Sequence, residues 1–323
     1  MPTSEFSLID RYFAAHPLRR PDVALGIGDD CALLIPPAGQ HLVVTMDTLV
    51  ADVHFLAATD PEAIGYKALA VNLSDLAAMG AVPAWATLAL TLPKADEGWL
   101  EGFCRGLFAL ADHYGVQLVG GDTTHGPTTV ITIQVHGFVA PGLALRRDGA
   151  KAGDAIYVTG APGDAGLALA TVFGKAAVPP EYRSYVQRRL ERPEPRLAEG
   201  VALLGIASAA IDVSDGLAQD LGHILERSGI GARLEVDRLP LSPALVASLD
   251  LDAAIVTALA GGDDYELCFT APPERTSQLE AVAAGWDCRC TRIGVITAEP
   301  GLQLVHADGS AFHLDRSGYD HFG

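Results

Sequence analysis

Hydrophobic positions along this chain fall into short runs of strand character, separated by longer stretches with helical spacing. The segment His41–Asp47 (HLVVTMD) predicts a buried strand that ends in a carboxylate. Asp60 and Pro61 supply a helix N-cap and first position. The helix they open runs through Ile64, Ala68, Val71 and Asp75 towards Met79, and Gly80 ends it. Trp85–Leu92 alternates as a strand does and is stopped by Pro93; residues 96–114 predict an amphipathic helix and 128–140 a long β-rich strand. Charge and glycine then gather at Arg146–Gly153, and Asp154–Thr159 begins a new strand. The second half is expected to hold helices near 164–174, 195–208 and 215–228, with strands at 209–213, 232–237, 265–270, 289–297 and 301–306. Strand–helix alternation of this kind argues for α/β architecture. The composition shift divides the chain into domains at 1–148 and 149–323.

Composition narrows the function classes. Among 323 residues, 40 Asp and Glu outweigh 22 Lys and Arg, for a formal charge of −18. That field repels nucleic acids and acidic membranes, so neither is an expected partner. A phosphate-bearing ligand has to be met by cations or by a local basic spot. The five cysteines form no CxxC pair, and Cys31 is read as a core thiol. The first 16 residues lack a signal-peptide pattern, and no apolar stretch approaches the ~20 residues that span a bilayer, so the expected location is cytoplasmic.

Acidic residues recur beside glycine, serine or threonine where apolar runs end. They stand in Gly28-Asp29-Asp30, Thr45-Met46-Asp47-Thr48, Ser74-Asp75, Gly120-Gly121-Asp122, Ile211-Asp212-Val213-Ser214-Asp215 and Gly261-Gly262-Asp263-Asp264. Any single site reads first as a turn or cap. Six of them suggest carboxylates gathered at one rim, where repulsion calls for divalent cations. Oxygen-only donors favour Mg²⁺ sharing its shell with substrate phosphates. The common nucleotide motifs are missing: Gly174-Lys175 is followed by Ala176, and Gly26-Ile27-Gly28 runs into acids.

The strings GIGDDCALL (26–34), TMDTLV (45–50), GYKALAVNLSDLAAMGAVPAW (65–85), GGDTT (120–124), IDVSDGL (211–217), GGDDYELCFT (261–270) and GYDHF (318–322) resemble the thiamine-monophosphate kinase family. The NLSDLAAMGA block is shared with a wider superfamily that includes aminoimidazole ribonucleotide synthetase. The resemblance implies an α/β fold of the α+β type in two domains. On this resemblance the N-terminal mixed-sheet domain would bind ATP and magnesium and contribute to a barrel across a homodimer. The C-terminal α/β domain would complete the nucleotide and substrate site. Further implications of the resemblance are ATP as co-substrate, several Mg²⁺ ions, and thiamine monophosphate as acceptor. By matching position, Asp30, Thr45, Met46, Asp47, Asp75, Asp122, Asp212 and Asp215 are implied metal ligands. Asp30, Thr45, Gly121, Asp122, Arg146 and Ser214 would contact ATP, and His54, Asp263 and Tyr319 the thiamine phosphate. Three positions depart from the family pattern. Met46 replaces a threonine, so a metal contact there falls to its backbone carbonyl; Asp263 replaces a glutamate, and Tyr319 a tryptophan.

A phosphate monoester is already mostly dianionic at neutral pH, so no general base is expected among the catalytic groups. Neutralising and positioning two repelling phosphates is the task. Taken alone, His54 reads as a surface or hydrogen-bonded residue, Arg146 as either a phosphate contact or one of a solvated linker pair, and Lys67 as a surface or dimer-contact residue. Asp29 reads as a cap for the turn that presents Asp30. Three rival functions stay open on sequence alone. These are an aminoimidazole ribonucleotide synthetase-type enzyme, a non-catalytic binder of nucleotide and thiamine phosphate, and a metal-dependent phosphatase.

Overall fold

The computed structural model describes residues 5–319. Its contacts divide the chain into two units: 1–76 with 81–142, and 77–80 with 143–323. Among the described residues no helix is long and apolar enough to cross a membrane.

In the first unit, α1 (Glu5–Leu8) leads into a π-helical stretch, Ile9–Ala14, and a two-stranded ribbon of β1 (Val23–Leu25) and β2 (Leu33–Leu34). The main sheet holds β3 (His41–Val50), β4 (Val82–Leu92), β5 (Gln117–His125) and β6 (Val130–Val139) in the order β3-β6-β4-β5. Its β3/β6 and β4/β6 pairs are antiparallel, and β4/β5 is parallel. Between these strands run α2 (Pro61–Ala78) and α3 (Glu97–Tyr114). The Asp60 carboxylate accepts from Glu62 N–H at 3.1 Å, as a capping aspartate should. At the far end Gly80 takes φ +65° and donates to Ala77 O at 2.9 Å, while Ala81 N–H returns to Leu76 O, a Schellman closure.

The helices α2 and α3 meet through glycine. A Cβ on Gly65 would lie 2.0 Å from Phe103 O, and one on Gly106 would lie 1.8 Å from Glu62 O. This close backbone approach lets α2 bury nearly its whole circumference, including Leu69, Leu73 and Leu76. Lys67 shares that fate: it is 4% exposed, which corrects its expected place on the surface. Its neighbours on the helix are almost all apolar and buried, so the face it occupies has no solvent side.

The second unit holds a six-stranded sheet, β12-β9-β11-β7-β10-β8, from β7 (Ala155–Thr159), β8 (Ala209–Val213), β9 (Gly231–Glu235), β10 (Glu266–Ala271), β11 (Cys290–Thr297) and β12 (Gly301–Val305). Only β12/β9 is parallel. Strand–helix alternation along the chain therefore produced a mixed sheet dominated by antiparallel pairs. Every residue of β7, β8 and β10 is buried, which explains their largely apolar character in sequence and leaves Asp212 and Glu266 as buried carboxylates within them. The helices are α4 (Asp164–Val172), α5 (Pro180–Glu191), α6 (Leu197–Ala202), α7 (Leu217–Ser228), α8 (Pro243–Ser248), α9 (Leu251–Ala260) and α10 (Thr276–Ala283). Leu217, Leu221 and Ile224 of α7 pack with Ile211, Val213 and Cys268 of the sheet. Cys104 and Cys268 are buried, whereas Cys31 is exposed, correcting its reading as core. It belongs to the loop between β1 and β2, where Asp29 and Asp30 are exposed as well.

Candidate active site

In the first unit the chemistry centres on β3 and α2. Alternation along β3 leaves Thr45 and Asp47 half-buried on one side and Met46 62% exposed on the other. The Met46 side chain is thus turned away from its two neighbours, and any part it plays beside them falls to its backbone. The Thr45 hydroxyl donates to Asp75 Oδ2 of α2. Asn72, one turn earlier on α2, accepts from Asp47 N–H at 3.0 Å through Oδ1 and donates to Ala68 O through Nδ2. One helix turn therefore fixes both the strand backbone at Asp47 and the carboxylate opposite it. Burial first, and the charge of Asp75 second, push the Asp47 carboxyl up to about 7. The sequence singled out Asp75 but not Asn72, whose signal was its place three residues before Asp75 on the same helix.

Asp122 and Gly121 lie within β5, not in a turn, and line a small cavity with Ile9, Phe13, Ile27 and Leu118. A Cβ on Gly121 would stand 1.9 Å from Leu88 O, so strand β4 requires glycine there. Asp30 is exposed, and its N–H donates to Asp29 Oδ1 at 2.9 Å, the capping role expected of Asp29. His54 follows β3, and its Nδ1 accepts from Val50 N–H at 3.0 Å. In the neutral ring the proton therefore resides on Nε2, which makes that atom a donor.

The second unit gathers Asp212, Ser214, Asp215, Asp263 and Tyr319. Asp212 is buried at the end of β8. Beyond it the chain wraps around the carboxylate of Asp220, whose Oδ2 accepts from Ser214, Asp215 and Gly216 N–H, each at 3.1 Å. Burial raises Asp220 to about 6, although these three amides pull the other way. Asp263 N–H donates to Ser214 O at 2.8 Å, and Tyr319 N–H to Asp215 O at 2.9 Å. Gln219 clamps the tail further by donating to Tyr319 O at 2.8 Å. Two later sequence motifs, the further one over a hundred residues on, are thereby fastened to the loop of a third. Residues 320–322 of the C-terminal motif lie outside the described residues. Asp220 was missed in the sequence because it acts on backbone amides, and only its place in the first turn of α7 hinted at it.

Arg146 is exposed and forked onto Asp148 at 2.8 and 2.5 Å, which keeps the Asp148 carboxyl below its ordinary range. Recruiting Arg146 to a phosphate requires exchange of that partner.

Among the described residues no cluster of three or more His, Cys, Asp and Glu side chains could hold a metal on its own. The Thr45–Asp75–Asp47 group still suits magnesium, which typically takes one or two carboxylates and fills its octahedron with water and substrate phosphate. An all-oxygen donor set whose Asp47 carboxyl is raised by burial first and by Asp75 second is a place where a cation is stabilising.

Two family models cover the chain: the AIR synthase related protein N-terminal domain at residues 28–139 and the C-terminal domain at 151–307. A thiamine-monophosphate kinase of Salmonella typhimurium is 53% identical over 325 residues, spanning 100% of this chain and 99% of that one. The crystal structure of thiamine-monophosphate kinase from Stenotrophomonas maltophilia K279a is 50% identical, with TM-score 0.87 and coverage of 97% and 99%. A further structure, AaThiL complexed with AMPPCP and TMP, is 31% identical, with TM-score 0.77 and coverage of 98% and 97%. With strings, fold and full-length identity in agreement, the chain belongs to the thiamine-monophosphate kinase family of AIR synthase related proteins.

Proposed function

We propose that this chain transfers the γ-phosphate of ATP directly to thiamine monophosphate, giving thiamine diphosphate and ADP. The observation that carries this reading is the oxygen-only Thr45–Asp75–Asp47 group in a chain 53% identical, end to end, to a thiamine-monophosphate kinase. AaThiL, with the same fold, binds an ATP analogue and TMP together. The acceptor phosphate is its own nucleophile, so the protein's task is to hold two anions in line and neutralise them.

The residue roles follow the chemistry of each group. In the first unit Asp30, Thr45, the Met46 carbonyl, Asp47, Asp75 and Asp122 would hold magnesium, and in the second unit Asp212 and Asp215 would do so. Bound there, the ions would offset charge on the phosphoryl oxygens. Asp30 and Thr45 would also touch ATP. Gly121 and Asp122 offer strand backbone and carboxylate to the nucleotide, Ser214 a hydroxyl, and Arg146 a guanidinium once released from Asp148. His54, Asp263 and Tyr319 would meet the thiamine phosphate. The first domain is assigned nucleotide and metal binding, and with ATP as co-substrate the reaction is placed in the cytoplasm. The deciding assay combines protein, Mg-ATP and thiamine monophosphate and separates the products. Thiamine diphosphate supports the reading; free phosphate alone, or unchanged ligands, overturns it.

Proton linkage at Asp47 gives a second test. Its folded carboxyl titrates near 7 against 3.8 in a free side chain. The folded state therefore binds the extra proton between these values, and metal-free stability falls as pH rises through that window. Magnesium has to displace the proton below 7 but meets a bare carboxylate above it. The melting temperature should accordingly rise more on adding Mg²⁺ at pH 8 than at pH 6, and Asp47→Asn should flatten that difference. An equal magnesium effect at both pH values in the wild type contradicts the assignment.

The proposed homodimer rests on β3. This ten-residue strand ends the sheet, and Leu42, Val44 and Met46 are 48%, 48% and 62% exposed at alternate positions along it. An apolar, unpaired edge of that length calls for a cover, and a second copy that continues the sheet into a barrel provides one. Light scattering should give a dimeric mass for the wild type and a monomeric one for Val44→Glu/Met46→Glu. A monomeric wild type removes this part of the proposal.

A further inference from the structure

The segment Gly261–Tyr265 connects α9 to β10 and is held in a conformation that side chains resist. Asp263 and Tyr265 have φ of +68° and +52°, and among the described residues only Asp52 shares this left-handed region without being glycine. Two such residues, one apart, need an external constraint, and several are present. Asp263 N–H donates to Ser214 O and Tyr265 N–H to Val213 O, both at 2.8 Å. Asp264, between them, is buried, and its Oδ2 accepts from Gly163 N–H at 2.6 Å just ahead of α4. Arg189, which pairs with Glu266 at 2.6 Å, also reaches the Asp264 carbonyl at 3.4 Å. Strain held by this many contacts marks a segment whose shape is in use.

Its visible consequence is a contact between alternate side chains. The Tyr265 ring is 8% exposed, and its hydroxyl donates to Asp263 Oδ1 at 3.1 Å, while Asp263 itself is half-buried. We propose that Tyr265 is a positioning residue, whose O–H fixes the Asp263 carboxylate for the thiamine end of the acceptor. This rests on the reading of Asp263 as a substrate contact. A carboxylate repels a phosphate dianion and attracts a cation, so the part of thiamine monophosphate suited to it is the positively charged, nitrogen-bearing ring system. A donor on one oxygen sets the plane of the group and therefore the direction of the other oxygen's lone pairs. Asp264 acts one step further back, by holding the backbone that brings the two side chains together.

Steady-state kinetics on the wild type, Tyr265→Phe, Asp263→Ala and the double variant test this. Loss of one hydrogen bond to a charged group predicts about a tenfold rise in KM for thiamine monophosphate in Tyr265→Phe. Its kcat should change by less than about twofold, with KM for ATP and the melting temperature unchanged, a pattern that general structural damage would not give. In the Asp263→Ala background the same substitution should add nothing. An unchanged KM in Tyr265→Phe overturns the proposal, and so does an equal KM rise when Asp263 is already absent. A wild type that makes no thiamine diphosphate removes the functional reading itself, which the wild-type arm shows separately.

Discussion

Asp47→Asn is expected to lower kcat at least about 100-fold while leaving the melting temperature unchanged or higher. Substitutions that remove half-buried groups usually destabilise. Here the group is a carboxylate whose ionisation is opposed by burial and by Asp75, so its removal relieves a cost in the metal-free protein. The amide keeps the shape of the side chain, and the Asn72 bond to the backbone at residue 47 is retained. Loss of activity without loss of stability separates a metal ligand from a structural carboxylate. Kinetics with a thermal melt on the same preparation checks both halves. Wild-type turnover, or a marked drop in melting temperature, contradicts the role.

The opposite signature belongs to Glu266. It is 0% exposed, gripped by Arg196 through two bonds of 2.7 Å, by Arg189 at 2.6 Å and by the Thr159 hydroxyl at 2.7 Å. Burial alone would raise its carboxyl, but the guanidiniums of Arg196 and Arg189 outweigh burial and hold it below its ordinary range. Glu266→Ala strands two largely buried arginines and is expected to cost about 3–5 kcal/mol, or roughly 10 °C in melting temperature. Because Glu266 opens β10, which pairs with Val213 of β8, activity should fall along with the folded fraction. A melt shifted by less than about 3 °C would mean that the pair is far more hydrated than its burial indicates.

These two carboxylates show where sequence reasoning reaches. Both stand in acidic strings near apolar runs, yet one lies beside Asp75 in the proposed cation site and the other meets two arginines far away in sequence. The pattern along the chain located α2 through Asp60 and Gly80, and located β7, β8 and β10 through their short, mainly apolar runs. It did not locate β5, because Gly120, Gly121, Asp122 and Thr123 have turn chemistry, and only the close approach to Leu88 explains glycine inside a strand. Strand direction was equally hidden, since alternation with helices does not dictate how β7, β10 and β8 pair. Within the candidate site, the carboxylates at the ends of apolar runs, Asp47 and Asp75 among them, were legible as candidates. Those that act on backbone, Asn72 and Asp220, were not, because their partners are amides distant from any motif they belong to. Lys67 escaped for a related reason: a charged residue was assigned to the surface or to a dimer contact, and nothing local announces a helix buried on nearly all sides.

The most direct test of the metal assignment is a crystal grown with Mn²⁺, AMPPCP and thiamine monophosphate, measured for anomalous scattering. Manganese peaks bonded to the Asp47 and Asp75 carboxylates and to phosphate oxygens are the predicted result. Well-ordered nucleotide and thiamine phosphate with no anomalous peak at either carboxylate would contradict the account.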